Sequence, residues 1–543
     1  MQISGKIVDI FSETVYPATI TVNNARIVSI KREHVPFNRY IVPGLIDSHI
    51  HIESSMLIPS EFARLAVVCG TVATVSDPHE IANVCGVEGV RFMIENGDSV
   101  PFKFYFGAPS CVPATPFETA GSSLGINEIR ELLMSDNIKY LSEMMNFPGV
   151  INDSPDVIAI LNLAKSYGKP IDGHAPGLRG ESCKKYIDAG ISTDHECVTI
   201  EEALEKLSYG MKIHIREGSA ARNFDELVPL IRTHPDTVML CSDDKHPDDL
   251  VKSHINDMVK RAIKHGIDIM RILRATSLNP VKHYGLDVGL LREGDYADFI
   301  VVDNLTEFNV LETYINGNLV AKDGKTLIKS VQAKPLNNFS TQVKSKKDFA
   351  IEAKSGTIKA IVVEDGQITT KMELVTPKIE GLYAISDTSR DLLKIAVVNR
   401  YENAAPAVGF IKNFGLKTGA IASSIAHDSH NIIAIGVRDS DICRAVNLVL
   451  ESRGGIAAVC GGKEDIMPLP FGGIMTNANG YETAKRYSYI SSIVKEKMGS
   501  PLRSPFMLLS FMALIVIPSL KISDKGLFDV DNFTFTELCV LPQ

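Results

Sequence analysis

Two histidines, His49 and His51, are separated by one residue near the end of an apolar segment, residues 41–52. Because side chains two apart on a β-strand point to the same side of the sheet, both imidazoles can reach one metal ion. The segment is apolar on both faces, which is typical of a strand buried in a parallel sheet. An isolated H-x-H pair is often incidental, so this interpretation requires further ligands from other parts of the chain.

The residues that follow predict the elements that would bring such ligands together. Short apolar runs alternate with helical patterns, such as residues 156–169 and 201–210. The runs occupy residues 71–77, 102–108, 139–145, 170–175, 191–196, 211–217 and 237–244. With the first strand they make eight βα units, which predicts an α/β fold with a distorted (β/α)8 TIM-type barrel of about 250 residues. A doubly wound parallel sheet is the main alternative.

Ionisable side chains concentrate at the ends of these predicted strands, where the active sites of such barrels lie. The side chains at the strand ends are His49, His51, Glu143, His174, His195, Glu217, Asp243 and Asp244. Imidazole and carboxylate ligands suit Zn²⁺, Mn²⁺ or Fe²⁺. A two-metal centre bridged by Glu143 is therefore reasonable, and two ions could hold a hydroxide and lower its pKa toward neutrality.

Each of these residues also has a purely structural interpretation. His174 or His195 alone would usually be a hydrogen-bonded histidine. Glu143 could be a solvated strand end, and Asp243 could cap the following helix. These interpretations would have to hold independently at five strand ends. We therefore favour a shared metal centre whose ligands are His49, His51, Glu143, His174, His195 and Asp243.

The segments on either side of the predicted barrel read as short strands. Residues 1–42 and 286–332 together predict a small β-domain, and residues 43–285 predict the barrel. A polar stretch at about 333–350 reads as a linker. Residues 350–543 predict a separate C-terminal α/β domain.

The composition excludes several other classes of protein. A formal net charge of −9 provides no basic surface for nucleic acid. Nine cysteines without a C-x-x-C pair favour a reduced, cytoplasmic setting over a disulfide framework. The N-terminus lacks a secretory pattern, and the longest apolar run, residues 506–517, is shorter than the roughly 20 residues that span a bilayer. We therefore expect no membrane association.

Two segments resemble the amidohydrolase superfamily. PGLIDSHIH at residues 43–51 is similar to its first-strand signature, and GLLREGDYADFIVVD at residues 289–303 is similar to the segment that returns to its flanking β-domain. The resemblance implies a distorted (β/α)8 barrel with a mono- or binuclear metal centre and hydrolytic attack. It implies that Asp243 binds metal and shuttles protons. Many members bridge the metals with a carboxylated lysine on strand four, where this chain has Glu143.

A narrower resemblance, to the bacterial adenine deaminase family, runs over essentially the whole chain. It is carried by segments such as GTVATVSDPHEIANVCG (70–86), REGSA (216–220), CSDDKHP (241–247) and IASSIAHDSHNIIAIG (421–436). The resemblance implies hydrolytic deamination of adenine to hypoxanthine and ammonia by a metal-bound hydroxide, in purine salvage. It also implies a divalent metal pair, Mn²⁺ or Fe²⁺ with Zn²⁺ as a further option, a small-molecule substrate and a homo-oligomer such as a dimer.

Deamination at C6 of adenine needs a strong nucleophile and a proton on N1. We expect Asp243 to take the proton of the hydroxide and pass it to the departing amine. Glu217, at the end of predicted strand seven, is our candidate for protonating N1. The alternative is that Glu217 is a salt-bridged loop residue.

Two further groups of ionisable residues have no assigned role in this chemistry. Asp77, His79 and Glu80 follow predicted strand two. They would either hold the metal ligands in place through hydrogen bonds or form an accessory metal site. The alternative is that Asp77 caps a helix beginning at Pro78. Residues 427–430, HDSH, read as a loop of the C-terminal domain that could face the barrel mouth.

Two other functions compete with adenine deamination. One is a different amidohydrolase acting on a cyclic amide, of the dihydroorotase or hydantoinase kind. The absence of a strand-four lysine and the large C-terminal domain argue against it. The other is a non-catalytic homologue that serves as a scaffold, although such proteins usually lose ligands that are present here.

Overall fold

The computed structural model describes residues 1–36 and 38–540. The N-terminal residues alternate between buried and exposed side chains, as in strands with one covered face. The strands are β1 (Gln2–Asp9), β2 (Thr14–Asn23), β3 (Arg26–Arg32) and β4 (Tyr40–Pro43). The chain leaves β4 through Gly44, where an added Cβ would lie 2.4 Å from the Val72 side chain. This close approach requires glycine at the entry to the parallel strands.

The eight apolar runs of the sequence all form strands. They are β5 (Leu45–Ile50), β6 (Thr71–Ser76), β7 (Lys103–Ala108), β8 (Ile138–Met144), β9 (Ile171–Gly173), β10 (Thr193–Asp194), β11 (Lys212–Arg216) and β12 (Val238–Cys241). Every residue of β5 and β6 is buried, as expected for parallel strands that are covered on both faces. Burying one Val, Leu or Ile side chain contributes about 1.5–3 kcal/mol, so these strands anchor the core.

These strands form two parallel sheets, one in the order β5-β6-β7-β8-β9 and one in the order β10-β11-β12. The sheets approach each other at both edges. Ser192 N–H donates to Ile171 O at 2.9 Å beside β9, and Asp243 N–H donates to His49 O at 3.0 Å beside β5. The α/β fold is therefore confirmed, with a partly curled parallel sheet. The sequence predicts one closed barrel of eight strands, whereas the strand pairing is interrupted twice, between β9 and β10 and between β12 and β5.

Helices connect the strands. They are α1 (Pro59–Ala66), α2 (His79–Asp98), α3 (Ile126–Met134), α4 (Phe147–Ile151), α5 (Pro155–Ser166), α6 (Gly180–Asp188), α7 (Ile200–Ser208), α8 (Phe224–Leu227), α9 (Leu230–Thr233), α10 (Pro247–Leu250), α11 (Ile255–Lys264), α12 (Ile269–Leu273) and α13 (Asn279–Tyr284). In α11 the buried residues Ile255, Met258, Val259 and Ala262 recur with helical spacing and form one apolar face. Within residues 1–36 and 38–540, no helix combines the length and the hydropathy needed to cross a membrane.

The strands before and after the parallel sheets share one antiparallel-rich sheet. After the last helix of this region come β13 (Phe299–Val302), β14 (Val310–Ile315), β15 (Asn318–Lys322) and β16 (Lys325–Thr326). The sheet order is β16-β15-β14-β13-β4-β1-β2-β3. Because β4 pairs with both β1 and β13, the two distant segments of the chain are joined directly by backbone hydrogen bonds.

The C-terminal part has its own sheets and helices. Its strands are β17 (Ile351–Glu352), β18 (Thr357–Val362), β19 (Lys371–Val375), β20 (Lys378–Glu380), β21 (Tyr383–Ile385), β22 (Leu392–Val398), β23 (Ala407–Lys412), β24 (Ala420–Ser423), β25 (Ile432–Gly436), β26 (Gly455–Cys460), β27 (Lys463–Pro468), β28 (Leu520–Ser523), β29 (Gly526–Asp529), β30 (Thr534–Phe535) and β31 (Cys539–Val540). Its helices are α14 (Asp439–Glu451), α15 (Gly480–Ser492) and α16 (Pro505–Ser510). The central sheet runs β19-β18-β23-β22-β25-β24-β26-β27, and α14 buries Ile442, Ala445 and Val449 in the core that it shares with this sheet.

This C-terminal part contacts the loops that follow the parallel strands. Thr476 N–H donates to Met56 O at 2.8 Å, after β5, and Ser523 Oγ donates to Phe117 O at 3.0 Å, after β7. His246, after β12, is hydrogen-bonded to the Tyr487 hydroxyl at 2.7 Å. The C-terminal part therefore covers the face at which the parallel strands end.

Arg400 joins several segments on this side of the molecule. Its side chain is fully buried, and its guanidinium donates to Asn338 O, His430 O, Asn337 Oδ1 and Gly472 O at 2.7–3.2 Å. Among the described residues no carboxylate lies within ion-pair distance of it. The buried charge is balanced by these dipoles and by the rings of Phe339 and Tyr401, whose centroids lie 4.4 and 5.3 Å from the guanidinium carbon. The acceptors and the guanidinium therefore depend on one another.

We expect Arg400→Met to lower the free energy of unfolding by about 3–5 kcal/mol, because it leaves buried carbonyl acceptors without a donor. Arg438→Met is the matched control, since Arg438 is exposed and forms only a surface pair with Asp441. Its loss should cost about 0–1 kcal/mol. Chemical denaturation followed by circular dichroism measures both, and equal midpoints for the two variants would contradict the role of Arg400.

Candidate active site

The predicted ligands come together at the C-terminal ends of the parallel strands. They lie at or just after the ends of β5, β8, β9, β10 and β12, where a parallel arrangement places every strand end on one face. Two groups have ligand atoms within 4.8 Å of one another: His49, His51 and Asp243 form one, and Glu143, His174 and His195 form the other. The structure thus brings all six predicted ligands into one buried cluster.

His49 shows most directly that the cluster suits a metal ion. The ring is fully buried, and neither of its nitrogens has a hydrogen-bond partner among residues 1–36 and 38–540. Its Nε2 lies 3.8 Å from Glu143 Oε2 and 3.8 Å from Asp243 Oδ1, too far for hydrogen bonds. Such separations are those of ligands about 2.0–2.2 Å from a shared ion. Burial and the adjacent His195 lower the pKa of His49 to about 3, so the ring is neutral, the form that binds metals.

His51 is oriented by the backbone. Its Nδ1 lies 3.2 Å from the carbonyl oxygen of Asp77. Because a carbonyl can only accept, Nδ1 carries the proton and Nε2 keeps a free lone pair. That Nε2 lies 3.3 Å from Asp243 Oδ1 and 3.7 Å from Glu143 Oε1. The ring is therefore held in the tautomer that a metal ligand requires.

Glu143 lies between the two groups. Its Oε2 lies 3.2 Å from His174 Nδ1 and 3.1 Å from His195 Nε2, while its Oε1 lies 3.7 Å from His51 Nε2. The carboxylate is buried, and its two oxygens face different histidines: Oε2 also lies 3.8 Å from His49 Nε2, whereas Oε1 faces His51. This arrangement fits a carboxylate that bridges two ions.

Asp243 divides its two oxygens between the cluster and an arginine. Oδ1 faces His49 and His51, whereas Oδ2 accepts a hydrogen bond from Arg216 Nη1 at 2.7 Å. Burial alone would raise the pKa of Asp243, but the Arg216 guanidinium outweighs it and holds this pKa well below its usual range. Asp243 also has a φ of +53°, in the left-handed region that aspartate tolerates better than most residues. It is therefore an ionised carboxylate fixed by both backbone and side-chain contacts.

Two further residues belong to the cluster and were missed by the sequence analysis. Arg216 donates to Glu196 through both terminal nitrogens, at 2.5 and 2.8 Å. Glu196 Oε1 lies 3.5 Å from His174 Nδ1 and 3.4 Å from His195 Nε2. A signal was present, because His214 and Arg216 are two apart on β11 and share a face, as His49 and His51 do on β5.

Glu217, predicted to protonate the substrate, lies outside the cluster. Its carboxylate pairs with Arg261 Nη1 at 2.9 Å and lies 3.6 Å from Arg222 Nη1. Successive side chains of a strand point to opposite faces, so Arg216 and Glu217 cannot both point into the site. Glu217 therefore lies in a salt-bridged loop, which is the alternative interpretation given for this residue.

The residues after β6 extend the cluster toward the C-terminal part. Asp77 Oδ1 accepts from His79 N at 3.1 Å, and helix α2 begins at His79, one residue later than the predicted Pro78. The N-cap position is therefore Pro78 and not Asp77, although the Asp77 carboxylate accepts from the first residue of the helix. His79 also faces the cluster, with Nδ1 3.6 Å from Glu143 Oε1. Glu80 points to His427 and His430 of the C-terminal part.

A cavity of about 1270 Å³ opens beside this cluster. Its walls include Glu196 and Arg216 from the strand ends, and Ile368, Leu508 and Phe511 from the C-terminal part. Apolar walls with a few convergent charged groups are typical of small-molecule sites, and the volume is ample for a purine. Both parts of the chain therefore contribute to one candidate substrate site.

Histidines and carboxylates gathered at the ends of parallel strands, with the neutral His49 ring among them and a cavity beside them, define a metal-dependent hydrolase of the amidohydrolase class. Residues 40–320 match the model of the amidohydrolase family. Residues 367–534 match the model of the adenine deaminase C-terminal domain. The chain belongs to the adenine deaminase family.

Relatives over the full length agree with this assignment. The chain is 54% identical to an adenine deaminase of Sulfurovum sp. (strain NBC37-1), over 99% of this chain and 100% of the relative. It is 52% identical to an adenine deaminase of Salinibacter ruber, over 98% of each chain. It is 48% identical to an adenine deaminase of Borreliella burgdorferi, over 99% of each chain. The similarity thus includes the parallel sheets and the C-terminal part together.

The contacts of Arg216 predict a shift in pH dependence. In Arg216→Met the pKa values of Asp243 and Glu196 should rise, because the guanidinium that lowers both is removed. The acidic limb of the pH–rate profile should then move up by about 1–3 pH units, so the loss of rate is larger at pH 6 than at pH 8. Ammonia release from adenine across the pH range measures this.

Arg222→Met is the matched control for that experiment. Arg222 is half-exposed and lies near Glu217 and Asp249, away from the ligand cluster. The acidic limb of its pH–rate profile should lie at the same pH as that of the unmodified enzyme. A profile for Arg216→Met that is lower but parallel to the unmodified one would show that Arg216 does not set these pKa values.

Proposed function

We propose that this enzyme catalyses hydrolytic deamination of adenine to hypoxanthine and ammonia at a divalent metal centre. The observation that carries the proposal is the position of Glu143, whose two oxygens face His174 and His195 on one side and His51 on the other. A purine-salvage role accompanies the activity in its family. The full-length similarity to adenine deaminases supports the choice of substrate.

The ligand set supports two ions. His49, His51 and Asp243 would hold one, His174 and His195 the other, and Glu143 would contact both. When bound, such ions supply Lewis acidity that makes a water molecule nucleophilic near neutral pH. Nitrogen and oxygen donors without thiolates suit Mn²⁺ or Fe²⁺, and also Zn²⁺.

Asp243 is the residue best placed to move protons in this reaction. Arg216 keeps its carboxylate ionised, and Oδ1 faces the ligand cluster. In the proposed reaction Asp243 accepts a proton from the attacking water and delivers it to the amino group that leaves C6. The C6–N bond breaks with its electron pair leaving on ammonia, while the new C6–O bond is retained and the second proton of the water ends on N1. Adenine and water thus become hypoxanthine and ammonia.

We infer that the two parallel sheets work as one distorted (β/α)8 barrel. The hydrogen bonds across both edges, Ser192 to Ile171 and Asp243 to His49, support this inference. We also propose three domains: a small β-domain of residues 1–42 with 286–332, a barrel of residues 43–285, and a C-terminal domain of residues 350–543. Assembly into a homodimer or larger oligomer and a cytoplasmic location also remain predictions from the sequence.

The proposal is tested by removing the metal and restoring it. Metal-free enzyme should release no ammonia from adenine, and addition of Mn²⁺, Fe²⁺ or Zn²⁺ in separate samples should restore turnover with at least one of them. Ring opening of dihydropyrimidines is assayed in parallel. If the enzyme opens the dihydropyrimidine ring but does not deaminate adenine, its function is hydrolysis of a cyclic amide.

Asp243→Asn should abolish adenine turnover, with a loss of at least about 10²–10⁴-fold, because the amide can neither accept the proton nor deliver it. The near-isosteric change should leave the circular dichroism spectrum intact. Asp236→Asn is the matched control, since Asp236 is exposed and pairs only with Arg274 at the surface. Retention of more than a few percent of activity by Asp243→Asn would remove this residue from proton transfer.

The assignment of N1 protonation to Glu217 stays a prediction, and its ion pairs with Arg261 and Arg222 disfavour it. Both arginines engage the carboxylate in the loop after β11, so it does not face the ligand cluster. We therefore expect Glu217→Gln to lose only a few-fold in turnover. Glu196→Gln should lose about 10²-fold or more, because it loosens Arg216 and thereby Asp243. A loss of about 10²-fold in Glu217→Gln would instead restore Glu217 as the proton donor.

A further inference from the structure

A second group of ligand-type side chains lies where the strand ends meet the C-terminal part. His79 and Glu80 belong to the first turn of α2, and His427 and Asp428 belong to the loop between β24 and β25. All four side chains are at least nine-tenths buried. We propose that His79, Glu80, His427 and Asp428 hold a third divalent metal ion, separate from the two in the proposed centre.

Two of the separations among these donors fit a shared ion, and the third is a short hydrogen bond whose proton the ion would replace. Glu80 Oε1 lies 2.5 Å from His427 Nδ1 and 3.5 Å from His79 Nε2, and that nitrogen lies 3.9 Å from Asp428 Oδ1. Ligands about 2.0–2.2 Å from one ion are themselves about 3–4 Å apart. Two imidazoles with two carboxylates are a ligand set for Zn²⁺, Mn²⁺ or Fe²⁺.

His430 completes the arrangement as an orienting group. Its Nδ1 accepts from Ala426 N–H at 3.3 Å, so the proton of the neutral ring is on Nε2, which donates to Glu80 Oε2. One oxygen of Glu80 is thereby occupied, and Oε1 is left for the ion. A carboxylate with one oxygen hydrogen-bonded and the other coordinating is a common support for a metal ligand.

The local charge suits a cation. Among residues 1–36 and 38–540, no lysine or arginine lies within ion-pair distance of Glu80 or Asp428. Asp428 Oδ2 is buried and has no hydrogen-bond partner in this part of the chain. Burial alone would lower the pKa of His427, but the Glu80 carboxylate raises it to about 9, so without an ion this ring carries compensating charge. A divalent ion would displace that proton and balance the two buried carboxylates in its place.

The position of the site gives it a role distinct from the proposed centre. It has two ligands from each part of the chain, so the ion would tie the C-terminal part to the residues that follow β6. His79 connects the two sites, because its Nδ1 lies 3.6 Å from Glu143 Oε1. The third ion would therefore hold this histidine beside the bridge of the proposed pair.

The test is the number of ions per chain. The full-length enzyme is reconstituted with Mn²⁺ and freed of excess ion, and its manganese is measured by mass spectrometry. We expect three ions per chain, and anomalous scattering from crystals of the same sample should show one peak contacting Glu80 Oε1 and His427 Nδ1. Two ions per chain with no peak at this position would overturn the inference.

Variants identify the ligands. His427→Gln and Asp428→Asn should each reduce the content from three ions to two, with both ions of the proposed pair retained. His246→Gln is the matched control, because His246 is a buried histidine at the same boundary that bonds Tyr487 and should keep three ions. Three ions in both ligand variants would overturn the assignment. If a variant does not fold, the anomalous map of the unmodified enzyme decides.

The outcome is independent of the proposed reaction. Full adenine turnover with only two ions bound would overturn the third site and leave the proposed function intact. Three ions bound without adenine turnover would support the third site and overturn the proposed function.

Discussion

The carboxylate of Glu143 lies in the interior of the protein between pairs of histidines, and much of the surrounding structure makes that burial tolerable. A carboxylate removed from water is costly unless positive charge or strong donors replace the solvent. Here five imidazoles surround one acid, those of His49, His51, His79, His174 and His195. The neutral His49 ring has no hydrogen-bond partner for either nitrogen among the described residues. Metal ions among these ligands would supply the positive charge that a buried carboxylate needs.

Arg216 sets the charge on the other side of the cluster. It is buried and bonds both Glu196 and Asp243, so one guanidinium keeps two acids ionised beside the cavity. Without it, burial would favour the protonated form of each acid. The same contact fixes Oδ2 of Asp243 and leaves Oδ1 for the ligand cluster. One residue of β11 therefore determines both the charge and the orientation of the proposed proton carrier.

The sequence predicts which of the candidate side chains come together, because their positions follow from local rules. The period of two on a strand places His49 and His51 together, and the common direction of parallel strands places Glu143, His174 and Asp243 beside them. On β11 the side chain predicted to end the strand is that of Glu217, whereas the side chain that points into the cluster is that of the preceding residue, Arg216. The contact of Glu80 with His427 and His430 could not be predicted, because the residues are about 350 positions apart and no periodicity relates them.

The C-terminal part is therefore more than a cover over the strand ends. Its residues complete the cavity walls, and its loop supplies His427 and His430 to the Glu80 carboxylate and Asp428 to His79. A ligand at the junction of two parts of a chain is held only while both parts keep their relative position, so its geometry reports on that junction. His79 touches both this junction and Glu143. A displacement of the C-terminal loop would thus reach the Glu143 carboxylate through one imidazole ring, so the geometry at the strand ends depends on the position of the C-terminal part.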